Sequence, residues 1–148
     1  MMITYTVKVN DSGTVRWYNE DGLLHRLDGP AVEYADGSKE WWVNGKLHRL
    51  DGPAVESSDG FKSWWLNGKL HRLDGPAVEW ANGYKSWYQN GNLHRLDGPA
   101  VCGSHGGKQW YIGVVKYTEE QFKAKIDKMN RSCIGKKVTV DGVEYTLA

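Results

Sequence analysis

Leu24-His25-Arg26-Leu27-Asp28-Gly29-Pro30-Ala31-Val32 is the stretch on which the reading of this chain turns, because it recurs unchanged at 47–55, 70–78 and 93–101. The four copies stand 23 residues apart. A spacing in that range marks a tandem array in which each unit is one supersecondary element that buries its apolar face only by stacking on its neighbours. The rest of each unit supports strands. Between copies run a variable turn, a lysine, a Trp-aromatic pair and then Asn-Gly, so that two turn signals imply two strands per unit.

Asp36-Gly37, Asp59-Gly60 and Asn82-Gly83 read as two-residue type I′ turns, and Asn44-Gly45, Asn67-Gly68 and Asn90-Gly91 turn the chain again. Pairing through Asp36-Gly37 as a two-residue loop predicts Val32 opposite Trp41 and Ala31 opposite Trp42. Side chains alternate between faces along a strand, which sorts the aromatics into two columns. Trp17, Trp41, Trp64, Trp87 and Trp110 beside Val32, Val55, Val78 and Val101 form the expected core. Tyr18, Trp42, Trp65, Tyr88 and Tyr111 beside Ala31, Ala54, Ala77 and Ala100 form either a second core or an interface, since Tyr and Trp suit places where one end is apolar and the other wet. Two further sites vary from copy to copy: Tyr34, Ser57, Trp80 and Gly103 at one, Val43, Leu66, Gln89 and Ile112 at the other. Both are expected on the Val-Trp face, where they would supply asymmetry to a specific partner.

The array frays at its ends, as terminal repeats do. Residues 3–9 and 14–18 predict a degenerate first hairpin. At the far end His105-Gly106-Gly107 stands in place of the usual turn. Thr118 then opens a helix with Gln121 as its capping-box partner and Phe122, Ile126 and Met129 on one face, expected to lid the last hairpin. Lys136 to Leu147 reads as a final hairpin around Asp141-Gly142 that would close the sheet edge. The predicted organisation is mainly β: an elongated single-layer β-hairpin array over 1–113, and a helix-and-hairpin cap over 114–148 packed on it.

Composition narrows the function classes. The 148 residues suffice for one modest core, built here from eight Trp and eight Tyr against two Phe. A net charge of +1 offers no overall field for nucleic acid or an acidic membrane, and the array itself is neutral to slightly acidic. The N-terminus lacks the charged and apolar regions of a signal peptide, and no stretch reaches the length of a membrane span, so the expected location is cytoplasmic. Cys102 and Cys133 form neither a redox motif nor a zinc set.

A His, an Arg and an Asp in every copy raise metal binding, catalysis and phosphate recognition. If each unit adds two strands, equivalent residues lie roughly 9–10 Å apart, at about 4.8 Å per strand. Metal ligands must converge within about 2 Å of one ion, so successive histidines cannot share a metal, and His48 with Asp51 alone is too few. The same triplet four times, with no Ser or Cys nucleophile beside it, is not the single asymmetric constellation an enzyme needs. The structural alternative pairs Arg49 with an Asp of its own or the next unit, fixes the turn with Asp51-Gly52-Pro53 and bonds His48 to backbone. A ladder of Arg26, Arg49, Arg72 and Arg95 beside exposed rings would suit single-stranded nucleic acid, although each Arg has an Asp two residues later.

The 23-residue period, the Asn-Gly-Lys-Leu-His runs at 44–48 and 67–71, the Asp36-Gly37-Ser38-Lys39 turn and the aromatic pair resemble MORN repeats over about residues 14–112. Arg-Leu-Asp-Gly-Pro after the histidine departs from the glycines usual there and is similar to a bacterial and bacteriophage variant. The resemblance implies a scaffold or protein-binding surface. The expected function is therefore a non-enzymatic protein-interaction module without cofactor or metal, phage-encoded and acting in the host cytoplasm, that binds and modulates a host enzyme or defence component. Trp42, Trp65, Tyr88, Tyr111, Arg49, Arg72 and Arg95 are its candidate partner-binding residues. The alternatives are a nucleotide or single-stranded nucleic-acid binder using the arginine ladder and exposed rings, and a membrane-associated MORN-type scaffold.

Overall fold

A computed structural model describes residues 4–133, 137–140 and 143–146. Strands of two to five residues follow one another from Thr6 to Tyr117, and one helix, Glu119–Cys133, comes after them. Eleven strands form a single open antiparallel sheet in chain order, running Thr6–Val9, Val15–Tyr18, Val32–Glu33, Lys39–Glu40, Val55–Glu56, Lys62–Ser63, Val78–Glu79, Lys85–Ser86, Val101–Cys102, Lys108–Ile112 and Val115–Tyr117. Each complete unit also folds a second, two-stranded hairpin beside this sheet: Trp42–Val43 with Lys46–Leu47, Trp65–Leu66 with Lys69–Leu70, and Tyr88–Gln89 with Asn92–Leu93. Single backbone bonds tie each such hairpin to the one before it, Gly68 N–H to Leu47 O and Gly91 N–H to Leu70 O, both at 2.9 Å.

The two turns of a unit differ in kind. At Asn44-Gly45, Asn67-Gly68 and Asn90-Gly91 both residues take positive φ (48° and 72° in the first), which is the type I′ geometry expected of Asn-Gly. At Asp36-Gly37, Asp59-Gly60 and Asn82-Gly83 only the glycine does. Gly37 N–H reaches Tyr34 O at 3.0 Å and Tyr34 N–H reaches Ser38 O at 2.9 Å, so Ala35-Asp36-Gly37 is a three-residue loop ending in a left-handed glycine. Asp36 Oδ1 accepts the Ser38 N–H at 2.9 Å and holds the loop closed. The Gly103–Gly107 turn has the same two backbone bonds despite its different sequence.

That odd loop length corrects the predicted register. Val32 pairs with Glu40, not Trp41, and Glu33 pairs with Lys39. A one-residue slip exchanges faces. Val32, Val55 and Val78 therefore share a side with Glu40, Ser63 and Ser86 and with the Trp42, Trp65, Tyr88 column, and the alanines share a side with the Trp41 column. The variable site at Trp80 lies with Val78, as expected, but Val43 lines the opposite side with Trp41.

The core differs accordingly. Ala31, Ala54, Ala77 and Ala100 are completely buried, with Val32, Ser63 and Ser86 nearly so, whereas Trp17, Trp41, Trp64, Trp87 and Trp110 are only half-buried. Small residues occupy the centre because a single sheet has no second layer to receive large ones, and the tryptophans stay half-buried on its surface. At the C-terminal end Thr118 N–H reaches Gln121 Oε1 at 3.0 Å and Gln121 N–H reaches Thr118 Oγ1 at 3.2 Å, the capping box expected there. The helix packs against Lys108–Ile112 and Val115–Tyr117 and buries Phe122. Lys137–Val140 and Val143–Thr146 pair as a two-stranded sheet of their own rather than joining the large sheet, and the Asp141-Gly142 turn lies outside the described residues.

Candidate functional site

The copied motif builds one local structure four times. Arg49 Nε donates to Asp51 Oδ1 at 2.9 Å, and its Nη1 donates to Pro53 O at 3.1 Å and to Glu56 Oε1 at 2.7 Å. Its guanidinium carbon lies 3.9 Å from the centre of the Trp41 ring. Arg26 and Arg72 repeat all four contacts, over Trp17 and Trp64. Arg95 keeps three, over Trp87, since Cys102 stands where the others have a glutamate. The arginine bond, above all, holds the carboxyls of Asp28, Asp51, Asp74 and Asp97 below their ordinary range.

The glycine of Asp-Gly-Pro is explained by this packing. A Cβ at Gly29, Gly52, Gly75 or Gly98 would meet the arginine Cζ at 3.0, 3.0, 2.8 or 3.2 Å. None of the four has a positive φ, so close approach and not backbone freedom requires the missing side chain. His48 Nδ1 accepts the Asn67 backbone N–H at 3.1 Å, and His25, His71 and His94 do the same for Asn44, Asn90 and Gly113. The same Nδ1 also lies 2.7 Å from Asn44 Oδ1 at His25 and 3.0 Å from Asn90 Oδ1 at His71. The polar triplet thus pins each unit together: the Asp bond stays within the unit, and the histidine bond crosses to the turn of the next one, Asn-Gly in three cases and Gly113 in the fourth.

Between successive copies this side carries three near-identical grooves of about 620, 500 and 510 Å³. The middle one is floored by Trp64 and Leu66 and rimmed by Leu50, Pro53, His71 and Leu73. The leucines of the motif project outward, 59% exposed at Leu27, 83% at Leu50, 75% at Leu73 and 43% at Leu96. A leucine in a constant motif reads as core, which hides this face in the sequence; the four stand in bends outside the strands, so strand alternation gives no signal for them.

The other side is not periodic. Phe61, Trp65, Trp80, Tyr84 and Tyr88 surround a pocket of about 510 Å³ whose base includes the buried Ser63 and Ser86, and no charged residue lines it. Trp80 is 46% exposed and meets Phe61 with ring centres 4.5 Å apart at 55°. Trp65 Nε1 donates to Ser63 Oγ at 2.7 Å, which fixes the indole while its face stays open. Burial, with the neighbouring Tyr84 second, pushes the Tyr88 hydroxyl up from its ordinary value. At the variable site Trp80 stands between the small Ser57 and Gly103 of the neighbouring units, which leaves its ring partly exposed beside Phe61. In the first unit Tyr34 donates to Glu40 at 3.1 Å and Trp42 Nε1 donates to the same carboxylate at 2.8 Å, which turns the equivalent place polar.

Of the seven candidate partner-binding residues, Trp65 and Tyr88 meet in this pocket. Trp42 lies in the same column one unit away, bonded to Glu40. Tyr111 lies one unit beyond Tyr88, its hydroxyl donating to Gln109 at 3.4 Å. Arg49, Arg72 and Arg95 stand on the opposite face, with side chains only 20–22% exposed and occupied by the contacts above. Trp80, Phe61 and Tyr84 complete the pocket; Trp80 was legible as a variable site, the other two were not. No family model, curated protein or solved structure matches this chain. Among the described residues no group of three or more His, Cys, Asp or Glu side chains could hold a metal ion, and no helix is long and apolar enough to cross a membrane.

Proposed function

We propose that this MORN-like repeat protein is a non-enzymatic protein-binding module whose specific contact is the aromatic pocket at Phe61, Trp65, Trp80, Tyr84 and Tyr88. The observation that carries the reading is that two successive units of a periodic sheet depart from the repeat to collect five rings around an uncharged hollow. Tyr and Trp clustered with a half-exposed indole are the composition of an interface centre, and a pocket of this size accepts an apolar or aromatic anchor from a partner. The proposed setting, carried over from the resemblance to phage repeat proteins, is a host enzyme or defence component as target in the host cytoplasm.

Nucleotide or single-stranded nucleic acid is the second reading, favoured by the same five rings, on which bases can stack. It loses the cations that would hold phosphate, since each of the four arginines is paired with its own aspartate. Tagged wild-type and Trp80→Ala protein, used side by side to capture partners from a bacterial lysate, test both. A stoichiometric protein retained by wild type and lost from Trp80→Ala is the expected result. Nucleotide in the eluate without a protein, or a protein retained equally by both, would overturn it.

A further inference from the structure

The face opposite the aromatic pocket carries its own regularity. Leu27, Leu50, Leu73 and Leu96 stay constant through all four copies although they face solvent, while the variable site on the other side changes from Tyr34 to Ser57 to Trp80. Each leucine rims an inter-unit groove floored by tryptophan. Beside it stands an aspartate that gives one oxygen to its own arginine and remains 82% exposed at Asp51 and 84% at Asp74, with its other oxygen available to a partner cation. The surface therefore presents an apolar slot and an anionic edge together, at a pitch of two strands, about 9.6 Å.

That pitch selects among ligand conformations. A polyproline II chain advances ~3.1 Å per residue with three residues per turn, or about 9.3 Å, so every third side chain returns to the same side in step with the grooves. An α-helix brings a side chain back after seven residues, about 10.5 Å, and slips by roughly 0.9 Å per groove. An extended strand puts residues three apart on opposite sides. Tryptophan-floored grooves are also the kind of surface on which proline rings dock.

We propose that the Leu-Asp face binds a proline-rich, basic segment in polyproline II conformation, laid across the strands with every third residue entering successive grooves. This goes beyond the aromatic-pocket reading, uses the other face and stands or falls separately. The probe is a fluorescein-labelled peptide of four Pro-Pro-Lys triplets, followed by anisotropy on the full chain. Comparators are two Pro-Pro-Lys triplets and four Gly-Ser-Lys triplets, the second of the same length and charge.

The four-triplet peptide should bind at least about tenfold tighter than either comparator, because it spans all three grooves and arrives preordered. Leu50→Ala and Leu73→Ala should each weaken it about fivefold, the loss of roughly 1 kcal/mol of contact, and Trp80→Ala should leave it unchanged. Both leucines are surface positions whose replacement should leave the fold intact, which urea unfolding of the variants checks. Equal binding of the Gly-Ser-Lys peptide would reduce the effect to charge and overturn the proposal. So would no binding at millimolar peptide, or indifference to both leucine substitutions. Self-association of the free protein abolished by Leu73→Ala would assign the leucines to a second copy, and would overturn it as well.

Discussion

Gly75→Ala tests how the repeat motif is assembled. The added Cβ would stand 2.8 Å from Arg72 Cζ, where carbon contacts settle at about 3.5 Å or more. The guanidinium must give by roughly 0.7 Å. It is stacked 4.0 Å over Trp64, and its Nη1 bonds to Pro76 O and Glu79 already span 3.2 and 3.1 Å, so a shift of that size takes one of them out of range. Losing one bond costs about 1 kcal/mol. Weakening a largely shielded cation–ring stack adds about 0.5–1 kcal/mol. The alanine returns about 0.4–1 kcal/mol by restricting the unfolded chain. The net expectation is destabilisation of about 1 kcal/mol. In an Arg72→Ala background nothing occupies that space, and the same substitution should be neutral or stabilising by up to about 1 kcal/mol. Urea unfolding of the four proteins reads the coupling directly. An equal cost in both backgrounds, or a gain in the wild type, would refute the packing account of the glycine.

The turns and the aspartates supply two further expectations. Asn67→Val places a β-branched residue at φ 49° and should destabilise by about 1–2 kcal/mol, whereas Ser58→Ala, at a position without positive φ, should cost less; thermal unfolding compares them. Because the carboxyls of Asp28, Asp51, Asp74 and Asp97 titrate below their unfolded value of about 3.9, their contribution is fully present above that pH and is lost as pH falls through the lower folded values. Urea midpoints should therefore be insensitive to these groups near neutrality and drop below about pH 4, less steeply in Asp51→Asn and Asp74→Asn variants; an unchanged slope would show that the arginine pairs do not stabilise the fold.

Local chemistry carried much of the fold into view. Asn-Gly at 44–45, 67–68 and 90–91 could be read as type I′ because few residues other than Asn and Gly accept positive φ in succession. Thr118 and Gln121 could be read as a capping box because both bonds lie within one turn. The pairing of Arg49 with Asp51 followed from the same short range, whereas the bond of His48 reaches the backbone of Asn67 in the next unit. The site was harder. Trp65 and Tyr88 were singled out, but their companions Phe61 and Tyr84 come from loop ends whose facing depends on the register.

What this sequence by itself determined is therefore the repeat, its two hairpin turns, the helix start and the short-range pairs of the polar motif, all of which rest on residues close in the chain. Tertiary structure alone decided the rest. A Gly in a loop of three rather than two residues moves Val32 from Trp41 to Glu40, and that single step exchanges the faces of every column after it. Only once strands from different units lie side by side do the histidines reach the next unit's turn and five rings gather around one shallow hollow. Side-chain alternation has a period of two, so the parity of a loop outweighs the character of the residues on either side of it.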